Sequence, residues 1–374
     1  MSSPTNQPPI RKVAISTGGG DAPGLNAVIR AATLSGLRRG WKMLGIRDGY
    51  NGLMMPELYP GGGLVPLTRE RVEGITALGG TILGTTNRGN PIRFPLRRPD
   101  GSVEEVDRSD ELLRLFALHE IDALISVGGD GSLEIANVLA TKGLRVIGVP
   151  KTIDNDLDRT VATFGFDSAV AFATECVDRL HSTAASHGRV LVVEVMGRYA
   201  GWIALNTGIS GSADAILIPE IPYDLERVAE RIREAEERGQ GYGIVVVAEG
   251  AMPRGGGVST VAAAEPGRVE RLGGLGDRVA AQLAAVTGRE TRTVVLGHLL
   301  RGGTPTTFDR LLALRFGAAA IRALDEGQSG VMVALDPPAV LYVPLAEVTH
   351  RMKRVPLDAD SILTARDLGI SFGD

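Results

Sequence analysis

The chain is 374 residues long and 44% hydrophobic, with a formal net charge of -4; that length exceeds one ordinary core and predicts two domains. A charge so near balance, with aromatics at only 4% against 49 glycines, argues against a nucleic-acid face and for backbone-built sites of the kind that hold phosphates. Cys176 is the only cysteine, which excludes a disulfide framework or cysteine-rich metal site within one chain and suits a reducing cytoplasm.

The opening stretch MSSPTNQPPIRK has no apolar run of signal-peptide length and reads as a short disordered tail, and no later run approaches a membrane span. Lys12 to Ser16 is an apolar strand feeding TGGGDAPGLNAVIRAATLSGLRRG, a glycine turn that opens a helix. Such a turn lets backbone N–H groups approach an oxyanion at the positive end of a helix, although an ordinary βα connection would carry the same glycines. Trp41 to Ile46 reads as a second strand, PELYPGGGLVPLT as a loop and RERVEGITALGG as a short helix. In the loop TILGTTNRGNP, Arg88 has the reach to fork onto a phosphate, and a merely solvated arginine would look the same. RFPLRRPDGSVEEVDRSD is a charged surface excursion before the helix DELLRLFALHEI.

Asp122 to Val127 is a buried strand delivering a second glycine cluster, VGGDGS, and the helix SLEIANVLATKG. Asp130 within it suits a hard cation such as Mg²⁺, with helix capping as the alternative reading. Leu144 to Val149 is apolar enough to be buried on both faces, and Pro150 bars helical continuation, so Asp154 and Asp156 in PKTIDNDLD sit at a strand's carboxyl end. That edge is where α/β sheets place ligands, and it is read as the reacting edge. Cys176 falls in the helical pattern AVAFATECVDRLHSTA and reads as a core residue rather than a nucleophile.

Arg189 to Val195 is a further strand, followed by MGRYAGWIALNTG, a loop opening a helix. Ile216 to Pro219 and Gly243 to Val247 are strands on either side of the charge-laced helix PYDLERVAERIREAEERGQ. GGVSTVAAAEPGRV is a mobile loop or a truncated element; DRVAAQLAAVTGRE is a helix; TRTVVLGHLLRGG is a strand with basic groups at its end, Arg292, His298 and Arg301. The helix FDRLLALRFGAAAIRALDEGQ, short strands and a final helix in VMVALDPPAVLYVPLAEVTHRMK complete the chain. Strands alternating with helices throughout predict parallel, helix-covered sheets.

Taken in order, GGGDAPGLNAVIR, DGYNGL, GGTILGTTNRGNP, VGGDGS, PKTIDNDL, SHGR, EVMGRYAGW and GRETRTVVLGHLLRGGTP resemble the 6-phosphofructokinase family over most of residues 12 to 330. The resemblance implies an α/β fold of two doubly wound parallel-sheet, Rossmann-like domains with the active site in the cleft between them. Residues 1–165 and 300–350 would bind the phosphoryl donor, and residues 166–299 and 351–374 fructose 6-phosphate. It implies phosphorylation of that sugar at the C1 hydroxyl with MgATP, in glycolysis, with Asp154 as base and Asp130 and Asp156 on Mg²⁺.

By the same route Gly20, Thr152, Arg198 and Arg88 would serve the moving phosphoryl, and Gly129, Gly131, Ser132 and Lys151 the donor. Arg189, Arg292, His298 and Arg301 would take the 6-phosphate, with Met196, Gly197 and Glu249 on the sugar. In the family the residues at Arg189 and Arg292 reach in from a neighbouring subunit, so a homodimer or homotetramer is expected.

Bacterial ATP users commonly have PGTIDND, where this chain has Lys151, a feature shared by pyrophosphate users. Gly131 points the other way, because pyrophosphate users typically carry an aspartate there that would crowd and repel a nucleotide's α-phosphate. ATP is therefore favoured, with pyrophosphate as the alternative donor. Arg88 lies one residue later than in the shorter GSxR form of its loop. Leu34 stands where a known bacterial regulatory site has an arginine, so effector control does not follow from the resemblance. A glycine-acid-loop kinase of another substrate would lack the basic sugar-phosphate groups, and a silent binding subunit would lack the aspartates. A dinucleotide oxidoreductase does not suit the loop GGGDAPG.

Overall fold

The structure, a computed structural model, describes residues 8–262 and 271–374; the side chains of residues 260–262, 271 and 272 are not described. The first seven residues of the expected tail and positions 263–269 of GGVSTVAAAEPGRV lie outside the described residues.

The first run of elements is β1 (Lys12–Thr17), α1 (Leu25–Arg38), β2 (Lys42–Ile46), α2 (Asn51–Met54), β3 (Leu64–Pro66), β4 (Phe94–Arg97), β5 (Val103–Val106), α3 (Ser109–Leu118), β6 (Ala123–Gly128), α4 (Asp130–Thr141) and β7 (Arg145–Pro150). A second run follows: α5 (Phe166–His187), β8 (Val190–Val195), α6 (Trp202–Ser210), β9 (Ala215–Leu217), α7 (Leu225–Glu237), β10 (Gly243–Ala248), β11 (Thr260–Ala262), β12 (Arg271–Leu272), α8 (Leu275–Thr287) and β13 (Thr291–Val295). The chain then closes with α9 (Thr307–Asp325), β14 (Val331–Asp336), β15 (Ala339–Pro344), α10 (Leu345–Val348) and α11 (Asp360–Asp367).

These strands make two main sheets, one ordered β15-β14-β7-β6-β1-β2-β3 and the other β13-β8-β10-β9. The smaller is parallel throughout. The larger is parallel at its centre, with β3 and β15 antiparallel at its edges.

Alternation along each strand explains why both sheets are helix-covered. Val13, Ile15, Ile125, Val127, Ile147 and Val149 point into a core shared with α1 and α9, whereas Ala14, Leu124 and Val146 point into one shared with α3 and α4. In the small sheet Leu191, Val193, Ile244 and Val246 face α5, α6 and α11, while Val190, Val192, Val245 and Val247 face α7 and α8. Each such buried aliphatic side chain contributes roughly 1.5–3 kcal/mol relative to exposure.

One carboxylate ties the two lobes together. Gly165 precedes α5 with φ 100 and has no side chain to cap it. Asp309, wholly buried on α9, does so instead, its Oδ2 accepting Ser168 N at 2.8 Å and Ser168 Oγ at 2.7 Å.

Several local expectations are corrected. RERVEGITALGG forms no α-helix, only a 3₁₀ turn at Ile75–Ala77, because Gly74 enters it at φ 74. The charged excursion contains an antiparallel hairpin, β4 with β5, whose turn is closed by Asp100 accepting from Ser102. TRTVVLGHLLRGG is not one strand: β13 ends at Val295, Gly297 turns at φ 46, and residues Gly297–Arg301 form a 3₁₀ turn. The expected last helix is only α10, and α11 beyond it was not foreseen. Leu34 packs against the α1–α9 core.

Candidate active site

The two glycine loops are built into each other. Gly18 N donates to Val127 O at 2.9 Å and Gly19 N to Thr86 O at 3.2 Å, while Thr85 Oγ1 donates to Gly19 O at 2.6 Å. The amides of Gly18 and Gly19 are thus engaged by the protein, so the loop's offer to a ligand comes from its outer end, at Gly20. A Cβ at Gly18 would stand 2.6 Å from Ser132 Oγ, so any larger residue there would have to push that hydroxyl aside. Arg88 lies exposed beyond Thr86, whose hydroxyl accepts its amide at 3.0 Å.

Asp130 opens α4 but does not cap it; the cap position is Gly129, without a side-chain bond. Its carboxylate is exposed and accepts the backbone N–H of His350. Nothing lies within 4 Å of where a Cβ on Gly131 would be, so the space beside this loop is open.

The turn after β7 carries the densest charge. Lys151, 3% exposed, sends its ammonium to the carbonyl of Gly20, and burial together with Arg301 lowers it to about 8. Thr152 is used twice: its hydroxyl accepts Asp154 N at 3.1 Å and donates to the Asp156 carboxylate. Burial, then the neighbouring Asp156, pushes Asp154 up to about 7, with Arg301 and Lys151 opposing and Glu249 adding to the rise. Its Oδ1 is buried without a hydrogen-bond partner. Asp156 is also raised, by burial first; Thr152 opposes this and Asp130 adds to it. Between them Asn155 holds φ 51, its Oδ1 accepting Thr163 N at 3.1 Å and Lys353 Nζ at 2.9 Å. Burial lowers Lys353 to about 8, against the pull of Asp156 and Asp158.

The small sheet presents its carboxyl edge to this turn. Met196, Gly197 and Arg198 leave the end of β8, and Glu249 leaves β10, its carboxylate accepting Gly197 N. Burial raises Glu249, while Arg198 and Arg301 hold it down. Arg198 lies 5.7 Å over the Tyr199 ring. Arg301 closes the gap between lobes: its guanidinium packs on Gly20, where a Cβ would meet it at 2.5 Å, and donates to Asp21 O at 3.2 Å. His298 is exposed on the same 3₁₀ turn.

Arg189 and Arg292 are elsewhere. Arg189 precedes β8 and Arg292 is the second residue of β13, level with Leu191. Both bind Glu290, at 2.9 and 2.5 Å. At about 3.3 Å per residue along β8, they lie on the order of 20 Å from Arg198. Within one chain, the four groups expected to take one phosphate are therefore split into two pairs at opposite ends of the sheet. Lys353 was not singled out from the sequence at all; it sits in a charged run without periodic signal, and only its contacts mark it.

Among the described residues no group of three or more His, Cys, Asp or Glu side chains could hold a metal. The charge of Asp130 adds to the proton affinity of Asp156, and two neighbouring carboxylates are oxygen ligands of the kind a hard, largely hydrated cation takes. Nor is any helix of the described residues long and apolar enough to cross a membrane.

The chain matches the family model described as Phosphofructokinase over residues 12–324. It is 50% identical to an ATP-dependent 6-phosphofructokinase of Chloroflexus aurantiacus, with 97% of this chain and 98% of that protein covered. It is 46% identical to a pyrophosphate–fructose 6-phosphate 1-phosphotransferase of Amycolatopsis mediterranei, covering 93% of this chain and 97% of the other. Among solved structures, Pichia pastoris phosphofructokinase in the T-state superposes with a TM-score of 0.77 at 33% identity, covering 93% of this chain and 36% of that longer one. A match that runs through both sheets, and identity of this order over nearly whole chains, mean that this chain belongs to the phosphofructokinase family.

Proposed function

We propose that the chain is an ATP-dependent 6-phosphofructokinase that transfers the terminal phosphoryl group of ATP to the C1 hydroxyl of fructose 6-phosphate, giving fructose 1,6-bisphosphate in glycolysis. The observation that carries this is Asp154: a carboxylate with a raised proton affinity and a partnerless buried oxygen, between the donor loops and the Arg301–Glu249 edge. Phosphoryl transfer needs alignment and charge neutralisation more than covalent help, and a base within reach of the hydroxyl completes it.

In this reading Asp154 accepts the C1 proton. Gly20, Thr152 and Arg198, with Arg88 from its exposed loop, attend the phosphoryl group, and Gly129, Gly131, Ser132 and Lys151 shape the donor side. Mg²⁺ would be held by Asp130 and Asp156, and when bound supplies charge neutralisation on the phosphates. Met196, Gly197 and Glu249 contact the sugar, and Arg301 with His298 approaches its 6-phosphate. The lobe of residues 1–165 and 300–350 takes the donor, that of 166–299 and 351–374 the sugar phosphate.

Arg189 and Arg292 complete the phosphate pocket of a neighbouring subunit in a cytoplasmic homodimer or homotetramer. Their position at the far end of the small sheet, held by Glu290, supports service to another copy rather than to their own site.

Pyrophosphate as donor is the second reading, favoured by Lys151, whose ammonium reaches into the first glycine loop at Gly20. The open space at Gly131 favours the nucleotide. Assaying purified protein side by side with MgATP and with pyrophosphate tests both: turnover of fructose 6-phosphate with ATP at least as efficient as with pyrophosphate is expected. Turnover with pyrophosphate alone would replace the first reading by the second, and turnover with neither would end both.

A further inference from the structure

We propose that Lys353 is a positioning residue that fixes the turn bearing Asp154 and Asp156 and registers it against the sugar-side loop; the inference rests on the function proposed above. Its ammonium donates to three oxygens, Asn155 Oδ1 at 2.9 Å, Thr160 O at 2.9 Å and Val161 O at 3.1 Å. Three donors meeting three acceptors is the full capacity of a lysine.

Asn155 needs this support. It is a non-glycine residue at φ 51, a left-handed conformation that L-residues adopt at some energetic cost unless the surroundings hold it. Its flanking residues are the two aspartates, so the twist at Asn155 sets how both carboxylates are presented. Lys353 shares its Oδ1 with the amide and, at 3.5 Å, the hydroxyl of Thr163, and of these donors Lys353 alone is charged.

The backbone of Lys353 extends the same clamp. Its N–H donates to Asp156 O at 2.8 Å, Met352 beside it bridges to Leu157, and its carbonyl accepts the Trp202 indole N–H at 2.8 Å. Trp202 opens α6, directly after the loop of Met196 to Arg198. One residue near the end of the chain thereby joins the turn of the large sheet to the loop of the small one. An arginine would not substitute, because its donors lie in a rigid plane while these acceptors surround a point.

The test compares Lys353→Met, which keeps length and loses the ammonium, with Lys353→Cys in a Cys176→Ala background before and after S-aminoethylation, which restores one. With fructose 6-phosphate and MgATP, kcat is expected to fall about 10²-fold in the Met protein while KM for the sugar stays within about twofold, as when reacting groups are misplaced but binding is kept. Aminoethylation, verified by mass, should recover most of the loss; a residue needed only for folding would not respond this way. A kcat close to that of the unsubstituted protein overturns the proposal, as does a loss that the restored amine leaves in place.

Hydrogen exchange provides a readout independent of the proposed function. The Thr163 amide should exchange about tenfold faster in Lys353→Met, since Asn155 Oδ1 loses its second anchor. If the unsubstituted protein turns over no fructose 6-phosphate, the functional reading falls and this exchange rate alone judges Lys353, unchanged protection refuting it.

Discussion

Replacing Asp154 by Asn should slow the enzyme and stabilise it at the same time, with a pH dependence that identifies the cause. The carboxyl rises from 3.8 to about 7 because burial and Asp156 disfavour its charge in the folded state. The sign follows from linkage: the folded protein binds this proton more tightly than the unfolded chain, so stability falls as pH climbs between the two values and the loss is complete above the folded one. At about 1.36 kcal/mol per pH unit, the rise corresponds to at most about 4 kcal/mol. Partial solvent access and the shared titration with Asp156 reduce this, and about 1–2 kcal/mol is expected at pH 8.

An asparagine carries no such charge and is nearly isosteric. Thermal unfolding at pH 8 should therefore occur about 1–3 °C higher in Asp154→Asn, at about 1.3 °C per kcal/mol for a protein of this size, and the advantage should shrink toward pH 4. Turnover should fall about 10³-fold, the usual contribution of a general base. The unsubstituted enzyme should lose kcat/KM as pH drops through 7, as Asp154 takes up its proton. Equal melting temperatures at pH 8 and pH 4, or turnover retained in the variant, would refute the reasoning.

Gly131→Asp should fold normally, since nothing lies within 4 Å of an added Cβ, and should shift the ATP-to-pyrophosphate activity ratio down by about tenfold, equivalent to about 1.4 kcal/mol of like-charge repulsion. An unchanged ratio counts against Gly131 as the donor determinant. Arg292→Ala should raise KM for fructose 6-phosphate by about tenfold or more, despite lying far from its own chain's Asp154. Mixing it with Arg301→Ala protein under conditions that exchange subunits should recover activity neither has alone, because some mixed sites then hold both arginines; no recovery in verified hybrids argues against a shared site.

Much of this protein is local information. The apolar runs of β1, β6, β7, β8 and β10 were readable because a strand buried on both faces tolerates little but aliphatic residues, and the turns that follow announce themselves by glycine and aspartate. The charged hairpin of β4 and β5 was not readable, since its strands are short, exposed and held by cross-strand hydrogen bonds rather than by a buried face. RERVEGITALGG misled because two apolar residues at helical spacing, Val72 and Ile75, are buried by an irregular turn through Gly74.

By itself, the sequence determined that glycine-built turns and acidic side chains stand at strand ends in a helix-covered α/β chain. Only the tertiary structure decided which of those groups meet. Arg301 reaches across to Gly20, Glu249 reaches toward Asp154, and Lys353 grips Asn155 from nearly two hundred positions away in the chain, whereas Arg189 and Arg292 stay at the far end of their sheet. Residue type and local period set what a segment can form, but the approach of two side chains distant in sequence depends on how sheets and helices pack, and no local pattern encodes that distance.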